Sequence, residues 1–456
     1  MISTPESTLV AHLATLQRRP LVQATRERLA QAVLDWFTAG WAAIGMPGAV
    51  ALRDLAATCL PGHGPAQVFG GGLLQPLAAG FANAGIAHLR EIDDAHRAAM
   101  LHPGVVAISP VLALAASQPL SMRRTADAII AGYEVALRIG EALGTRHAAS
   151  FHATATAGAV GAAAASGVAL GLSQEQLHHA MGIAATHSAG LWQLVDDAAH
   201  ESKSLHPAFA VRNGMMAAWA AQAGFPGARA FVTGRRGLYA LLSGDGPLTA
   251  LDGELDAPVR LNTATIKAWP CCAQLFTPLD ATGEIMRTHS PSVHEIESVD
   301  VVIFPHALKI AGIHWPAKPA ETPFCLRYVV ATLLLKGRLG IDDMDAPDLQ
   351  SPALLALAGR VHVTTDADFQ LAFPQKRPAR VTVTMKDGRS FSALRELRRG
   401  DPEDPFDWQQ LQARMRAFAP AMTDLQAAQL THWCAAFSDA ANDGMPCRPV
   451  AGLFGA

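Results

Sequence analysis

Three stretches of the chain set histidine against the start of a run of small apolar residues. "EIDDAHRAAMLHPG" (Glu91–Gly104) carries His102 and leads into "VVAISPVLALAA"; "SFHATATAG" (Ser150–Gly158) carries His152; "HESKSLHPAFAVRNG" (His200–Gly214) carries Lys203 and His206. The first turn of a helix exposes unpaired N–H groups and a partial positive charge, which suit a carboxylate or a phosphate. The same field disfavours imidazolium, so a histidine there stays neutral and able to take or give a proton. Lys203 adds a fixed cation. If the three stretches converge, they form a pocket for a small polyanion lined by proton-transfer groups.

Other chemistry has little support. "FGGGLLQ" (Phe69–Gln75) follows no strand and no GKS/T comes after it, so it reads as a helix-packing glycine cluster. No HExxH, GxSxG or dinucleotide fingerprint occurs. The six cysteines are scattered, with no CxxC and no zinc or cluster spacing, which reads as reduced thiols and disfavours an iron–sulfur dehydratase. Cofactor and acyl-enzyme chemistry therefore have no support in the sequence. A net charge of -3 without a basic stripe argues against nucleic acid as a partner. With only 16% charged residues, the surface leaves room for a subunit interface. The N-terminus lacks a basic segment followed by an apolar one, so no secretory signal is expected, and the reduced thiols point to the cytoplasm. The uncharged window Thr154–Leu172 is Ala- and Gly-rich, has no basic or aromatic anchors, and reads as an interior helix rather than a membrane span.

The positioning elements are mostly helices. From about Leu21 to Gly244 the apolar spacing is helical, with Ser121 a candidate N-cap and Gly144 a candidate terminator of one long helix. Beyond Leu255 the character changes. "ESVDVVIFP", "RVHVTTDA" and "ARVTVTMKDGRSFSALR" alternate like strands, the last around an Asp-Gly hairpin turn, and "PFCLRYVVATLLLKGRLG" is a helix among them. The expected fold is mainly α: a large helical domain (1–255 with 411–456) and a smaller inserted α+β domain (256–410).

The blocks "HLREIDDAHRAAMLHPG", "GYEVALRIGEALG", "FHATATAGAVGAAAASGVALGLSQEQLHHAMGIAATHSAGL", "SKSLHPAFAVRNGMMAAWAAQAGFPGAR" and "KAWPCC" resemble, in order, those of the MmgE/PrpD family. That family includes 2-methylcitrate dehydratase, cis-aconitate decarboxylase and iminodisuccinate epimerase. The resemblance implies a homodimer, no metal or organic cofactor, a small di- or tricarboxylate substrate, and an inserted domain acting as a lid over an active site between the domains. The matching positions are Asp93, Asp94, His102, His152, Lys203 and Lys267. The chain departs from the family at Glu91 and Ala95, where D-F-D-D-T is common, and "ETPFC" (Glu321–Cys325) lacks the usual Arg. Cys272 stands where decarboxylase-like members carry His, and Trp269 is similar to the epimerase branch.

Each of these family reactions makes or breaks a bond beside a carboxylate. The site must therefore supply cations and N–H donors where charge grows, with one group to take a proton and another to give one. His102 and His152 are the expected acid/base pair, in either order, and Lys203 the expected carboxylate anchor. Lys267 and Cys272 would come from the lid side. Asp93 and Asp94 would orient His102 or a lysine, or cap a helix; Thr154 and His206 are further candidate substrate contacts. His206, like His96 and His187, fits a structural role as well. The expected activity is a cofactor-independent lyase of the 2-methylcitrate dehydratase type. A dicarboxylate epimerase and an inactive carboxylate-binding member are the alternatives.

Overall fold

The computed structural model describes residues 4–197, 199–252, 258–312, 314–449 and 452–455. Two compact units emerge: Met1–Thr265 with Ala419–Ala456, and Ile266–Phe418.

The first unit is helical: α1 (Pro5–Arg18), α2 (Gln23–Ala43), α3 (Pro47–Cys59), α4 (Pro76–His88), α5 (Pro103–Ala115), α6 (Met122–Ala148), α7 (Ala153–Leu170), α8 (Gln174–Ala185), the single turn α9 (Gln193–Asp196), α10 (Leu205–Gln222) and the turn α11 (Leu238–Leu241). Ser121 caps α6 by accepting from the Arg124 amide at 3.1 Å. Gly144, read as that helix's terminator, instead sits at a kink with φ 74, and a further helical turn follows to Ala148. The centre is α7, packed by α5, α6, α8 and α10. It is long and apolar enough to cross a membrane, yet almost wholly buried within the protein. Its small residues bury little area each, so its packing depends on close approach. A Cβ on Gly214 of α10 would lie 2.6 Å from the Ala162 Cβ of α7, so the two helices meet backbone to backbone there.

The C-terminal helix Asp424–Ala435 packs against α2. Trp433 meets the Phe37 ring at 5.8 Å, and Phe454 meets Phe37 and Phe69 each at 5.0 Å. "FGGG" is not itself helical, although its Phe69 ring packs on Trp36 and Phe37 of α2. It is the turn between two-residue strands β1 (Ala66–Gln67) and β2 (Leu73–Leu74), closed by Val68 N–H donating to the Gly72 carbonyl at 3.3 Å.

The second unit holds a four-stranded sheet in the order β4-β3-β5-β6, made of β3 (Ile296–Ile303), β4 (Val361–Thr365), β5 (Ala379–Met385) and β6 (Ser390–Arg395). β3 runs parallel to β4 and antiparallel to β5, with Val299 opposite Val361 and Val383. The β5–β6 hairpin turns at Gly388, φ 85. Alternate residues of β3 and β5 are buried, and helices α12 (Phe276–His289), α13 (Pro305–Ile310) and α14 (Leu326–Lys336) add Phe276, Leu279, Ala307 and Val330 to one apolar cluster with them. Two boundaries differ from the sequence reading. Thr265 belongs to the first unit, where it exchanges backbone hydrogen bonds with Ala95 at 2.9 and 2.7 Å. Helix Trp408–Phe418 belongs to the second, where the Arg414 side chain donates to the Lys267 carbonyl at 2.5 Å.

Candidate active site

Helix ends converge in the first unit. His102 is the N-cap residue of α5, His152 is the N-cap residue of α7, and Lys203 lies in the 3-10 turn His200–Ser204 that leads into α10. A fourth element, unrecognised in the sequence, contributes His88, the last residue of α4 and buried. The His88 ring lies 4.6 Å from that of His102 and 5.6 Å from that of His152, and the latter two are 5.9 Å apart.

The loop between α4 and α5 folds back to place the carboxylates. Glu91 and Met100 adopt positive φ, 58 and 50, a conformation costing about 1 kcal/mol or more for residues with side chains. Two short bridges hold the loop in that shape, Ala95 to Thr265 and His96 to Leu101. Asp93 then lies under both imidazoles. Its Oδ2 accepts from His88 Nδ1 at 2.8 Å and lies 3.3 Å from His102 Nδ1. Burial alone would push the Asp93 carboxyl up, but the His88 and His102 charges outweigh it and hold the group well below the usual carboxylate range. His102 Nδ1 also donates to the Asp94 carbonyl at 3.0 Å, which fixes its tautomer with the proton on Nδ1. Asp94 faces away from the imidazoles. It accepts from the Gly104 amide at 2.8 Å and the Tyr133 hydroxyl at 2.6 Å, and burial, then the Asp35 charge, push its carboxyl up to about 7. Burial and Asp94 in turn drive the Tyr133 phenol well above its ordinary value.

His152 is held by Gly190, whose carbonyl accepts its amide at 2.9 Å. Gly190 has φ 133, and a Cβ there would come within 2.4 Å of the Ala155 Cβ, so only glycine lets that loop close over the start of α7. His152 Nδ1 meets His206 Nδ1 at 3.0 Å, so one of the two nitrogens must donate and the other accept. Burial, then the Lys203 charge, hold His152 well below its ordinary value, while burial, then His88 and Lys203, bring His206 to about 4. Both rings are therefore neutral at neutral pH. The Trp192 ring packs 4.7 Å from that of His152, and its indole donates to the Ala148 carbonyl at 2.8 Å. Lys203 Nζ is ion-paired with Glu91 and stands 6.0 Å from the Trp192 ring. Glu91 Oε1 in turn lies 3.7 Å from His88 Nε2.

The other candidates fall into place around this group. Thr154 is wholly buried and its hydroxyl accepts from the His102 amide at 3.0 Å, tying α7 to the start of α5. His96 Nδ1 accepts from the Ala99 amide at 3.0 Å, and its Nε2 faces Thr263 at 3.1 Å. His187 bonds the Ile183 carbonyl of α8 at the surface. Lys267 and Cys272 belong to the second unit, Lys267 buried and Cys272 partly so. Burial pushes the neighbouring Cys271 thiol well up, so that sulfur stays protonated. A separate cavity of about 460 Å³ in the first unit, lined by Leu13, Gln17, Asp127, Ile130 and Asn262, contains none of the histidines.

The arrangement can orient a proton-transferring imidazole, His102, through the Asp93 carboxylate. It sets a second, neutral imidazole within one ring's reach and holds a cation whose charge acts on that second ring. The sequence missed His88, Tyr133 and Trp192. His88 carried one signal: it ends an apolar helix five residues before Asp93 and opens a block that resembles the family's.

Comparison with known proteins identifies the family. The MmgE/PrpD N-terminal domain matches residues 7–250 and the MmgE/PrpD C-terminal domain residues 269–435. A cis-aconitate decarboxylase of Aspergillus terreus is 25% identical over 424 residues, 87% of this chain and 86% of that protein. The cis-aconitate decarboxylase of Homo sapiens is 24% identical over 369 residues, 76% of this chain and 74% of its own. A cis-aconitate decarboxylase-like protein of Aspergillus oryzae is 25% identical over 395 residues, 78% of each chain. With family models matching both halves, the chain belongs to the MmgE/PrpD family.

Proposed function

We propose that the protein is a lyase that dehydrates a small hydroxy di- or tricarboxylate of the 2-methylcitrate kind. One imidazole takes the proton from the carbon beside a carboxylate. The C–O bond then breaks, and the departing hydroxyl leaves as water with a proton from the other imidazole. His102 and His152 serve as this pair, and Lys203 binds a substrate carboxylate, for which Glu91 must give way. Lys267 and Cys272 act in the same reaction, Lys267 as a second cation. The observation that carries the reading is the convergence of His102, His152 and Lys203, each at or just before a helix start, on one buried cluster. Helix-terminal N–H groups and Lys203 provide the positive field that a forming enolate requires.

A second reading, decarboxylation, is favoured by the names of the relatives, all cis-aconitate decarboxylases or like them. There a C–C bond breaks, carbon dioxide leaves, and an imidazole protonates the carbanion. Cys272, standing where decarboxylase-like members carry His, weighs for dehydration. Incubation with 2-methylcitrate and with cis-aconitate in D2O, followed by NMR of the products, decides between them. The expected outcome is loss of water from 2-methylcitrate. Carbon dioxide release from cis-aconitate would replace that reading with decarboxylation, and deuterium exchange without loss of either would mark an epimerase. A homodimer completes the proposal, and a monomeric mass in sedimentation at micromolar concentration would remove that part.

A further inference from the structure

We propose that His88, His102 and His152 form a binding site for a divalent transition-metal ion of the zinc type, and that ion binding and turnover exclude each other. One ring nitrogen from each of the three lies within 4.8 Å of the others. Imidazole nitrogens around tetrahedral zinc, with Zn–N near 2.0–2.1 Å, stand about 3.4 Å apart, so an ion would draw these nitrogens together by at most about 1.4 Å. Imidazole suits zinc, copper, nickel and cobalt better than magnesium or calcium.

Three further observations point to an ion and not to chance crowding. First, His88 Nδ1 is engaged with Asp93, which leaves Nε2 as the nitrogen that would face an ion; that atom is buried and has no hydrogen-bond partner among the described residues. Second, each ring directs its Nδ1 at an outer partner: Asp93 for His88, the Asp94 carbonyl for His102, and His206 for His152. Carboxylates and carbonyls that fix the far nitrogen of a histidine are the usual outer shell of a metal site. Third, Glu91 Oε1 lies 3.7 Å from His88 Nε2, so a carboxylate stands beside the buried nitrogen, and its charge opposes that of Lys203. No spacing motif announces this set because the three histidines come from α4 and from the starts of α5 and α7.

The effect on turnover rests on the acid/base reading of His102 and His152, whose lone pairs the ion would occupy; the ion site itself does not. The test titrates cobalt(II) into metal-stripped protein. Wild type should develop the intense visible bands of four-coordinate cobalt at one equivalent per chain and lose them to added zinc. His88→Gln and His152→Gln should each bind cobalt at least tenfold more weakly. Absence of these bands in wild type, or equal binding by wild type and both variants, would overturn the site. If a variant fails to fold, the wild-type Tm decides. It should rise with zinc concentration, as for any ligand of the folded state, and an unchanged Tm overturns the proposal. Zinc should also abolish turnover and a chelator restore it; full turnover in the zinc-loaded protein would remove the exclusion while leaving the site. Failure to bind cobalt leaves the lyase reading untouched, because no step of that reaction uses the ion.

Discussion

Lys203 and Glu91 are the most informative pair at the scale of single residues. The lysine's charge is met by an acid whose own backbone is held at φ 58. A substrate carboxylate must displace Glu91 or share the lysine with it. Lys203→Ala is expected to raise KM for a carboxylate substrate about tenfold or more, the loss of one charge-assisted hydrogen bond, with the fold intact. Glu91→Gln removes the internal competitor and is expected to lower KM. Steady-state kinetics of the two variants check this, and parallel increases in KM would show that Glu91 helps binding instead. Residue types were legible in the sequence, partnerships less so. Asp93 and Asp94 are adjacent and chemically identical, yet one is ionised beneath two imidazoles and the other is buried against Tyr133 with a carboxyl pushed up to about 7. Nothing in "DD" distinguishes them; the distinction comes from a loop whose shape depends on contacts with Thr265, far along the chain.

Single elements explain how the site's side chains are placed. Helices α5 and α7 begin at the proposed acid/base residues His102 and His152, so rotation of either would misplace an imidazole. The loop that ends at Trp192 holds His152 through Gly190. Gly190→Ala is expected to cut kcat at least tenfold while changing the Tm much less than a core truncation would. Circular dichroism melts together with kinetics test this, and wild-type kcat in the variant would contradict the positioning role. In the second unit, Asp280 of α12 accepts from the Trp269 indole and the Arg399 amide, each at 2.8 Å, and burial pushes its carboxyl up to about 6 from an ordinary 3.8. As pH rises from about 4 to about 6 the unfolded chain releases this proton before the folded chain does, so the group's contribution to stability falls across that window. Asp280→Asn has no such titration and one acceptor fewer. Its deficit against wild type in urea unfolding should be largest near pH 4 and shrink by pH 7, and a constant deficit would contradict the assignment. Helix periodicity and strand alternation were both readable because burial imposes them. The role of "FGGG" was not, because a hairpin of two-residue strands has too few residues to show a period.

For the whole molecule, composition and pattern were enough to expect a mainly helical protein with a smaller mixed unit. They did not locate the boundaries, which depend on pairings such as Ala95 with Thr265 and Arg414 with the Lys267 carbonyl. Lys267 is the second unit's candidate for the reaction. Lys267→Ala is expected to reduce kcat/KM by tenfold or more, and unchanged kinetics would confine the chemistry to the first unit. The central claim is that the histidines at the starts of α5 and α7 transfer the protons. The most direct measurement is turnover by His152→Ala followed by NMR, with binding of the same carboxylate measured by calorimetry. The account predicts a loss of kcat of at least about 10²-fold with binding retained. Turnover at the wild-type rate in that variant would contradict it.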